Sequence, residues 1–378
     1  MMKIPLIDLQ AQHDSMKQEI LETFRQVMES GVYVSGPEVT LFEKEAAAFT
    51  HSKYAISTAN GTDSLILALH AFGIGPGDEV ITSPYTFFAS AEAIARVGAT
   101  PIFADIDPLT YHLSPELTES KITCRTKAII PVHIFGQPAD MDAFMELGRN
   151  HGLVVIEDAC QAMGAYYKGR PVGTIGHAGC ISFFPTKNLG GVGDGGLILT
   201  QDEQIAQRIR MLALHGSSRR YHHDMIGYNS RLDELQAAIL RLKLRKLDAW
   251  NESRGHRAEN YHRLLAGTEL RLPYVSSGVS HVYHVYVTET DHRALLAAHL
   301  KKEGVSTGHY YPCPLHLQKA FSHLGYKPGD MPVAEAISKR ALALPMYPEL
   351  TIEQQAYISQ AVHAFYGIAS IGFRGESG

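Results

Sequence analysis

Cysteine is scarce in this chain. Four occur in 378 residues, Cys124, Cys160, Cys180 and Cys313, with no CxxC pair, so neither a disulfide framework nor a zinc-binding spacing can support the fold. Cys160 and Cys180 sit in apolar runs and read as small core residues. A reducing compartment, the cytoplasm, is expected. Long apolar runs are also missing. Each is broken by charge or glycine well before 18 residues, the length at which a transmembrane helix would be read, and Ile4–Ile7 is too short for a signal-peptide core. Excess charge of one sign is absent too: a net charge of −5 and a pI near 6.5 leave no basic footprint for nucleic acid or an acidic membrane. No repeat of 20–50 residues and no low-complexity tract stands out.

What remains is an ordinary soluble composition, 45% apolar and 19% charged. The length suits two or three domains, or one large α/β domain with a smaller companion. Between about residues 50 and 200, short β-branched runs alternate with amphipathic stretches. Strands are expected at 79–82, 101–105, 127–133, 153–157, 180–183 and 196–200, with helices at 87–97 and 141–151 and a looser one near 115–121. This alternation predicts a mainly parallel, buried sheet, whose ligands gather at the carboxyl ends of the strands. Residues 203–250 read as helical, with one long uncapped helix linking two domains. Beyond about residue 268 the pattern changes. His281–Val287 alternates like a half-buried strand, and helices at 293–303 and 351–364 flank it, as in a smaller α+β domain. The final stretch 367–378, rich in glycine and serine, reads as a loose tail.

Four segments could carry chemistry, and each falls at an expected strand end. In Ser182–Gly196, SFFPTKNLGGVGDGG, a strand runs into a proline, a lysine and five glycines. Glycine lets backbone approach a ligand closely, and a partly desolvated Lys187 would be nucleophilic; the alternative is a surface-turn lysine. The loop lacks the order of a Walker motif. In VVIEDACQ a strand ends in Glu157 and Asp158, at least one of which must point inward, and a buried Asp needs a cationic partner such as a protonated pyridine nitrogen. ANGTDS before an apolar helix is an anion site or a plain N-cap. YTFFAS offers an aromatic that stacks on a planar group or belongs to the core. Together they supply a phosphate anchor, a ring stack, a ring-nitrogen counter-ion and an amine, the requirements of pyridoxal phosphate.

At this point the chain resembles the sugar-nucleotide aminotransferases of the DegT/DnrJ/StrS type, over about residues 4–367. The resemblance is carried by NGTDSL (60–65), PYTFFAS (84–90), GATPIFADID (98–107), PVHIFGQPADM (131–141), EDACQAMGA (157–165), the Lys187 loop, HGS (215–217), GYNSRLDELQAAIL (227–240) and YYPCPLH (310–316). It implies the fold-type I architecture of pyridoxal-phosphate (PLP) transferases. That is a large domain over 1–250 with a mainly parallel seven-stranded sheet, a small α+β domain over 251–367, and the tail 368–378. It also implies Lys187 as covalent anchor of the cofactor, Asp158 on the ring nitrogen and Gln161 near the ring hydroxyl. Gly61, Thr62 and Ser182 would hold the phosphate, and Phe87 would stack on the ring. Asn229 would come from a neighbouring subunit, making a homodimer with shared sites, and Tyr311 and His316 would border the sugar-nucleotide cleft. The lysine argues against the subgroup that carries His there and dehydrates its sugar.

The implied reaction moves an amino group from L-glutamate to a keto nucleotide sugar. NSRLDELQAAIL looks most like enzymes acting on dTDP-linked 3-keto-6-deoxyhexoses; 4-keto and UDP-linked sugars are the alternatives. Two rivals are a PLP lyase or desulfurase using Cys160 or Cys313 and a non-catalytic PLP-binding regulator. The latter would want a DNA-binding module for which the chain has neither spare length nor a basic face. In HGSSRRYHHD (215–224) the adjacent His222 and His223 cannot easily share one metal ion, so no metal is expected. A loop contacting substrate diphosphate through Arg219 or Arg220, or a purely structural loop, suits the segment better. His133, His281 and His284 read as core or rim histidines.

Overall fold

The computed structural model describes residues 2–367, so the tail expected at 368–378 lies outside the described residues. The sheet has seven strands: β1 (Tyr54–Thr58), β2 (Glu79–Thr82), β3 (Thr100–Phe103), β4 (Thr126–Ile130), β5 (Val154–Asp158), β6 (Ala178–Ser182) and β7 (Gly196–Thr200). Their order is β1-β7-β6-β5-β4-β2-β3, and β7 alone runs against the rest. The strands are apolar on both faces because both faces are covered. Along β5, Val155 faces one core and Ile156 the other; along β7, Leu197 and Leu199 face the first and Ile198 the second. On the first face pack helix α3 (Met141–His151) and helices 37–50 and α5 (Glu234–Leu244). On the second pack α1 (Gly61–Ala71), α2 (Ala89–Arg96) and α4 (Glu203–Ala213). Among the described residues no helix is long and apolar enough to cross a membrane.

Three sequence expectations change. β1, with the run YAIST, was not foreseen; its partner β7 makes it a strand by five paired positions. The expected long helix is two, α5 and α6 (Leu247–Leu264), separated at Arg245 and Lys246. No Gly or Pro marks the break; the turn lets Leu244 and Leu247 enter the same core. Residue 250 lies inside α6, which enters the sheet core at Leu247 and the C-terminal core at Ala258 and Tyr261. The strand expected at 281–287 is confined to β8 (Tyr286–Glu289), which is fully buried and pairs with β9 (Ala341–Leu344). Upstream, the Val282 and His284 N–H groups are taken by the Gly136 and Phe135 carbonyls, and Tyr283 adopts φ 44°. A fourth cluster joins Tyr85, Phe103 and Phe135 beside the sheet to Val285, Leu315 and Ala341.

At the end of β5 the two carboxylates part company. Glu157 turns away from the strand-end cleft. Its Oε1 accepts from the Ile175 and Gly176 N–H groups at 2.7 and 2.6 Å, and its Oε2 from Gly173 N–H at 2.7 Å. His133 Nε2 also donates to it at 2.9 Å, because Nδ1 of that ring already accepts from Ala139 N–H. Glu157→Gln would aim amide hydrogens at donors. Denaturant unfolding should show a loss of about 3 kcal/mol; an unchanged midpoint would mean this carboxylate is not the knot that ties residues 173–176 to β5.

Candidate active site

The carboxyl ends of β1, β2, β5 and β6 open on one side of the sheet. β7 runs the other way, so its first residue, Gly196, pairs with both Thr58 and Ser182 at that edge. The chain leaves β1 and enters α1 at once. Asn60 is the N-cap, its Oδ1 accepting from Asp63 N–H at 2.8 Å. The N–H groups of Gly61 and Thr62 are given no acceptor among the described residues. They point outward at the positive end of an eleven-residue helix. Glycine is required here by close approach. A Cβ on Gly61 would sit 2.7 Å from Ser182 Cβ and 3.0 Å from Cys160 Sγ. The expected anion-holding residues Gly61, Thr62 and Ser182 are therefore brought together.

Asp158 is buried on the cleft side. Ser90 donates to its Oδ2 at 2.6 Å and Cys160 N–H to its Oδ1 at 3.2 Å. No Lys or Arg pairs with it among the described residues, so the carboxylate is suited to a cationic ring nitrogen. Lys187 follows β6 on a loop closed by its own N–H to Phe184 O at 2.8 Å. Burial pulls its amine below the ordinary lysine value, and nearby Cys160 and Asp158 pull it partly back. Gln161 is buried, accepts from Phe135 N–H at 2.8 Å and donates to Tyr311 Oη at 3.0 Å. Burial raises the Tyr311 phenol far above its ordinary value. Phe87 stands at the rim, 58% exposed, its ring 6.4 Å from that of Tyr311. An anion cradle, an amine held toward neutrality, an uncompensated carboxylate and an exposed aromatic thus share one cleft, and these groups fit pyridoxal phosphate.

Other expected residues fall elsewhere. The His316 side chain is fully buried, with its Nε2 3.1 Å from Glu335 Oε1 and its Nδ1 without a partner among the described residues. The segment it occupies packs against Phe103 and Tyr326, which draws the imidazole into the core. Arg219 and Arg220 lie on an exposed hairpin, the latter resting on the Tyr221 ring, and among the described residues neither pairs with a carboxylate. Asn229 is exposed and bridges to Leu214; Asp233, not Asn229, holds the N-cap position of α5. Beside it, Ser230 Oγ accepts from Ala59 N–H at 3.1 Å, which ties this segment to the anion loop. Burial raises the thiols of Cys160 and Cys313, so neither is held as a thiolate acceptor. Among the described residues no group of three or more His, Cys, Asp or Glu could hold a metal ion.

Two residues were missed. Ser90 lies within a recognised motif, but its bond to Asp158 depends on β2 and β5 lying one strand apart. His284 was read as a core or rim histidine. It is buried with Nδ1 unpartnered, and burial with the nearby Lys187 and Arg254 cations holds it well below the ordinary histidine value.

Comparison with known proteins finds a family and several relatives. The model of the DegT/DnrJ/EryC1/StrS aminotransferase family matches residues 14–363. The chain is 49% identical to a pleiotropic regulatory protein of Geobacillus stearothermophilus, covering 97% of this chain and 99% of that one. It is 45% identical to the UDP-N-acetyl-3-dehydro-α-D-glucosamine 3-aminotransferase of Acidithiobacillus ferrooxidans, over 95% and 97% of the two chains. A dTDP-3-amino-3,4,6-trideoxy-α-D-glucose transaminase of Streptomyces venezuelae is 42% identical, with 95% of each chain covered. Among solved structures, S. venezuelae DesV in complex with a ketimine intermediate superposes with a TM-score of 0.95 at 40% identity, over 98% of this chain and 100% of that one.

The cradle makes a direct prediction. Gly61→Ala should fold, yet bind PLP at least tenfold more weakly in an absorbance titration, since the added methyl must displace Ser182 or Cys160. Unchanged affinity would place the phosphate elsewhere.

Proposed function

The chain belongs to the DegT/DnrJ/EryC1/StrS aminotransferase family, and on that premise we propose that it moves an amino group from L-glutamate to C-3 of a keto nucleotide sugar. It is a nucleotide-sugar aminotransferase, and its cofactor is pyridoxal phosphate. The observation that supports transamination is the grouping of Lys187, Asp158 and Gly61 at the ends of β6, β5 and β1, and the C-3 position is taken from relatives named for 3-amino sugars. When bound, the cofactor supplies an electrophilic carbon for amines and a conjugated ring that accepts electrons from the donor's α-carbon.

The protein's part is to bind, orient and move protons. Gly61 and Thr62 donate backbone N–H groups to the phosphate, with Ser182 Oγ beside them. Asp158 keeps a proton on the ring nitrogen, and Ser90 fixes the carboxylate's orientation. Gln161, held by Phe135 N–H, presents its amide toward the ring hydroxyl, and Phe87 covers one ring face. Lys187 is the covalent anchor. Once its Nζ is released it takes the proton from the donor's α-carbon, a task suited to an amine whose burial favours the neutral form. Asn229 acts on the phosphate of a second copy. Supporting a dimer, Val32, Tyr33 and Val34 lie exposed beside the start of α5, where Glu234 N–H donates to Tyr33 O, and exposed Val192 adjoins the same helix through Gln236. Such a cluster of apolar side chains in water favours a partner surface.

The sugar is proposed to be a dTDP-linked 3-keto-6-deoxyhexose, on the resemblance of residues 229–240. The test is the reverse reaction: 2-oxoglutarate with a panel of dTDP- and UDP-linked 3- and 4-amino sugars, read by mass spectrometry. Fastest turnover of a dTDP-linked 3-amino-6-deoxyhexose is expected. Preference for a 4-amino sugar would overturn the position. Failure of glutamate to convert the bound cofactor to its pyridoxamine form would favour a regulator, the role named for the Geobacillus relative.

Borohydride reduction and peptide mapping should place the cofactor on Lys187 rather than Lys168 or Lys53. Asp158→Asn should lower kcat about 10²-fold, or about 3 kcal/mol of barrier. Co-expressed Lys187→Ala and Asn229→Ala chains should regain about half of wild-type activity per mixed dimer if Asn229 acts across the interface. Activity no better than the average of the two parents would place Asn229 in its own chain's site.

A further inference from the structure

Lys243 is a buried cation that the reaction above does not use. It lies on the last turn of α5, and its side chain is among the largest fully buried ones. Removing an ammonium from water is costly, and burial pushes this amine down to about 8. Its Nζ donates to Gly190 O at 2.7 Å and lies 3.5 Å from His13 Nε2 on the helix Leu9–Asp14. Glu349 is the carboxylate that favours its charge, and Glu349 is itself influenced by Arg254 and Asp8. One oxygen of Glu349 is buried with no hydrogen-bond partner.

Gly190 is the third residue after Lys187. The chain between Phe183 and Gly191 folds back on itself: Lys187 N–H donates to Phe184 O, and Gly191 N–H to Phe183 O, both at 2.8 Å. A Cβ on Gly190 would stand 2.2 Å from Pro185 O, so the two backbones touch. A glycine-dense loop of this kind has much conformational freedom to lose, and a peptide flanked by glycines can rotate unless its carbonyl is held. Seven residues before Lys243, two helical turns along the same face, Gln236 Oε1 accepts from Val192 N–H at 2.9 Å. Helix α5 therefore grips the loop at both Gly190 and Val192. Asn188 is held separately, by Asn251 Oδ1 and Val282 O.

We propose that Lys243 is a positioning residue for Lys187: by pinning the Gly190 carbonyl, its ammonium fixes the loop that aims the Lys187 amine at the cofactor beside Asp158. This inference rests on Lys187 being the cofactor's anchor.

The test uses the full-length holoenzyme with Lys243→Met, which keeps the length of the side chain and removes the donor. The thermal midpoint should fall, since removing the ammonium leaves the Gly190 carbonyl without its donor and Glu349 without its facing cation. The PLP dissociation constant should rise at least tenfold, and the pH at which the bound chromophore changes its absorption should move by about one unit or more, a tenfold change in that proton equilibrium. Gln236→Leu, which loosens the same loop without removing a charge, should change both readouts in the same direction and carries the test if Lys243→Met does not fold. Wild-type cofactor affinity and chromophore titration in both variants, with or without a loss of stability, would overturn the proposal and leave Lys243 merely structural. Borohydride labelling of the wild type separates the two failures. A label away from Lys187 removes the premise, whereas a label on Lys187 with unchanged variants removes only the clamp.

Discussion

A strand buried on both faces must place every side chain in the interior, including the charged ones at its end. β5 meets that constraint with two adjacent carboxylates on opposite faces. Glu157 is satisfied by three backbone N–H groups and His133, which fasten the 173–176 turn and the 133–139 loop to the strand. Asp158 receives, among the described residues, a hydroxyl and one N–H. The first carboxylate is a structural knot; the second has no Lys or Arg paired with it among the described residues. Much of the cleft follows from this division, because the same alternation sends Asp158 toward the ends of β1 and β6.

Close backbone approach is the second organising feature. Gly61 faces Ser182 and Cys160, Gly196 faces Asn60, and Gly190 faces Pro185, each at a distance that no Cβ could occupy without displacement. These contacts bring the anion cradle and the Lys187 loop together, but they also leave the loop dependent on outside restraints. Those come from two helices that follow the loop in the chain. Gln236 and Lys243 on α5, and Asn251 on α6, each bond to the loop or its neighbours. Active-site geometry here is set by hydrogen bonds around glycines together with the packing of Phe183 and Leu189 into the sheet core.

The family is an aminotransferase family, and its relatives include chains named for 3-amino sugars on two different nucleotides and one named as a regulatory protein. On the cofactor side Gly61 approaches Ser182 and Cys160, and Asp158 is bonded to Ser90, all within one chain. The substrate side is less closed within that chain. His316 is buried against Glu335, and Arg219 and Arg220 lie exposed. Val32, Tyr33 and Val34 lie exposed beside the start of α5.

The alternation of buried strands and helices, and the order of Gly61, Asp158 and Lys187 at strand ends, could be read from the amino-acid sequence because they are local. Period, capping and glycine placement are written within a few residues of each element. The helix 141–151 was legible to the residue, since Asp140 caps it and Gly152 closes it in the left-handed region. The sequence could not tell which strand β1 pairs with, why a helix breaks at 245 without Gly or Pro, or why 281–285 abandons its alternation to donate to Phe135 and Gly136. Nor could it show that Ser90 reaches Asp158, that His316 is buried, or that Lys243 holds Gly190. Each of these joins residues that are distant along the chain, and burial and hydrogen-bond satisfaction are properties of that three-dimensional neighbourhood, so only the tertiary structure decided them.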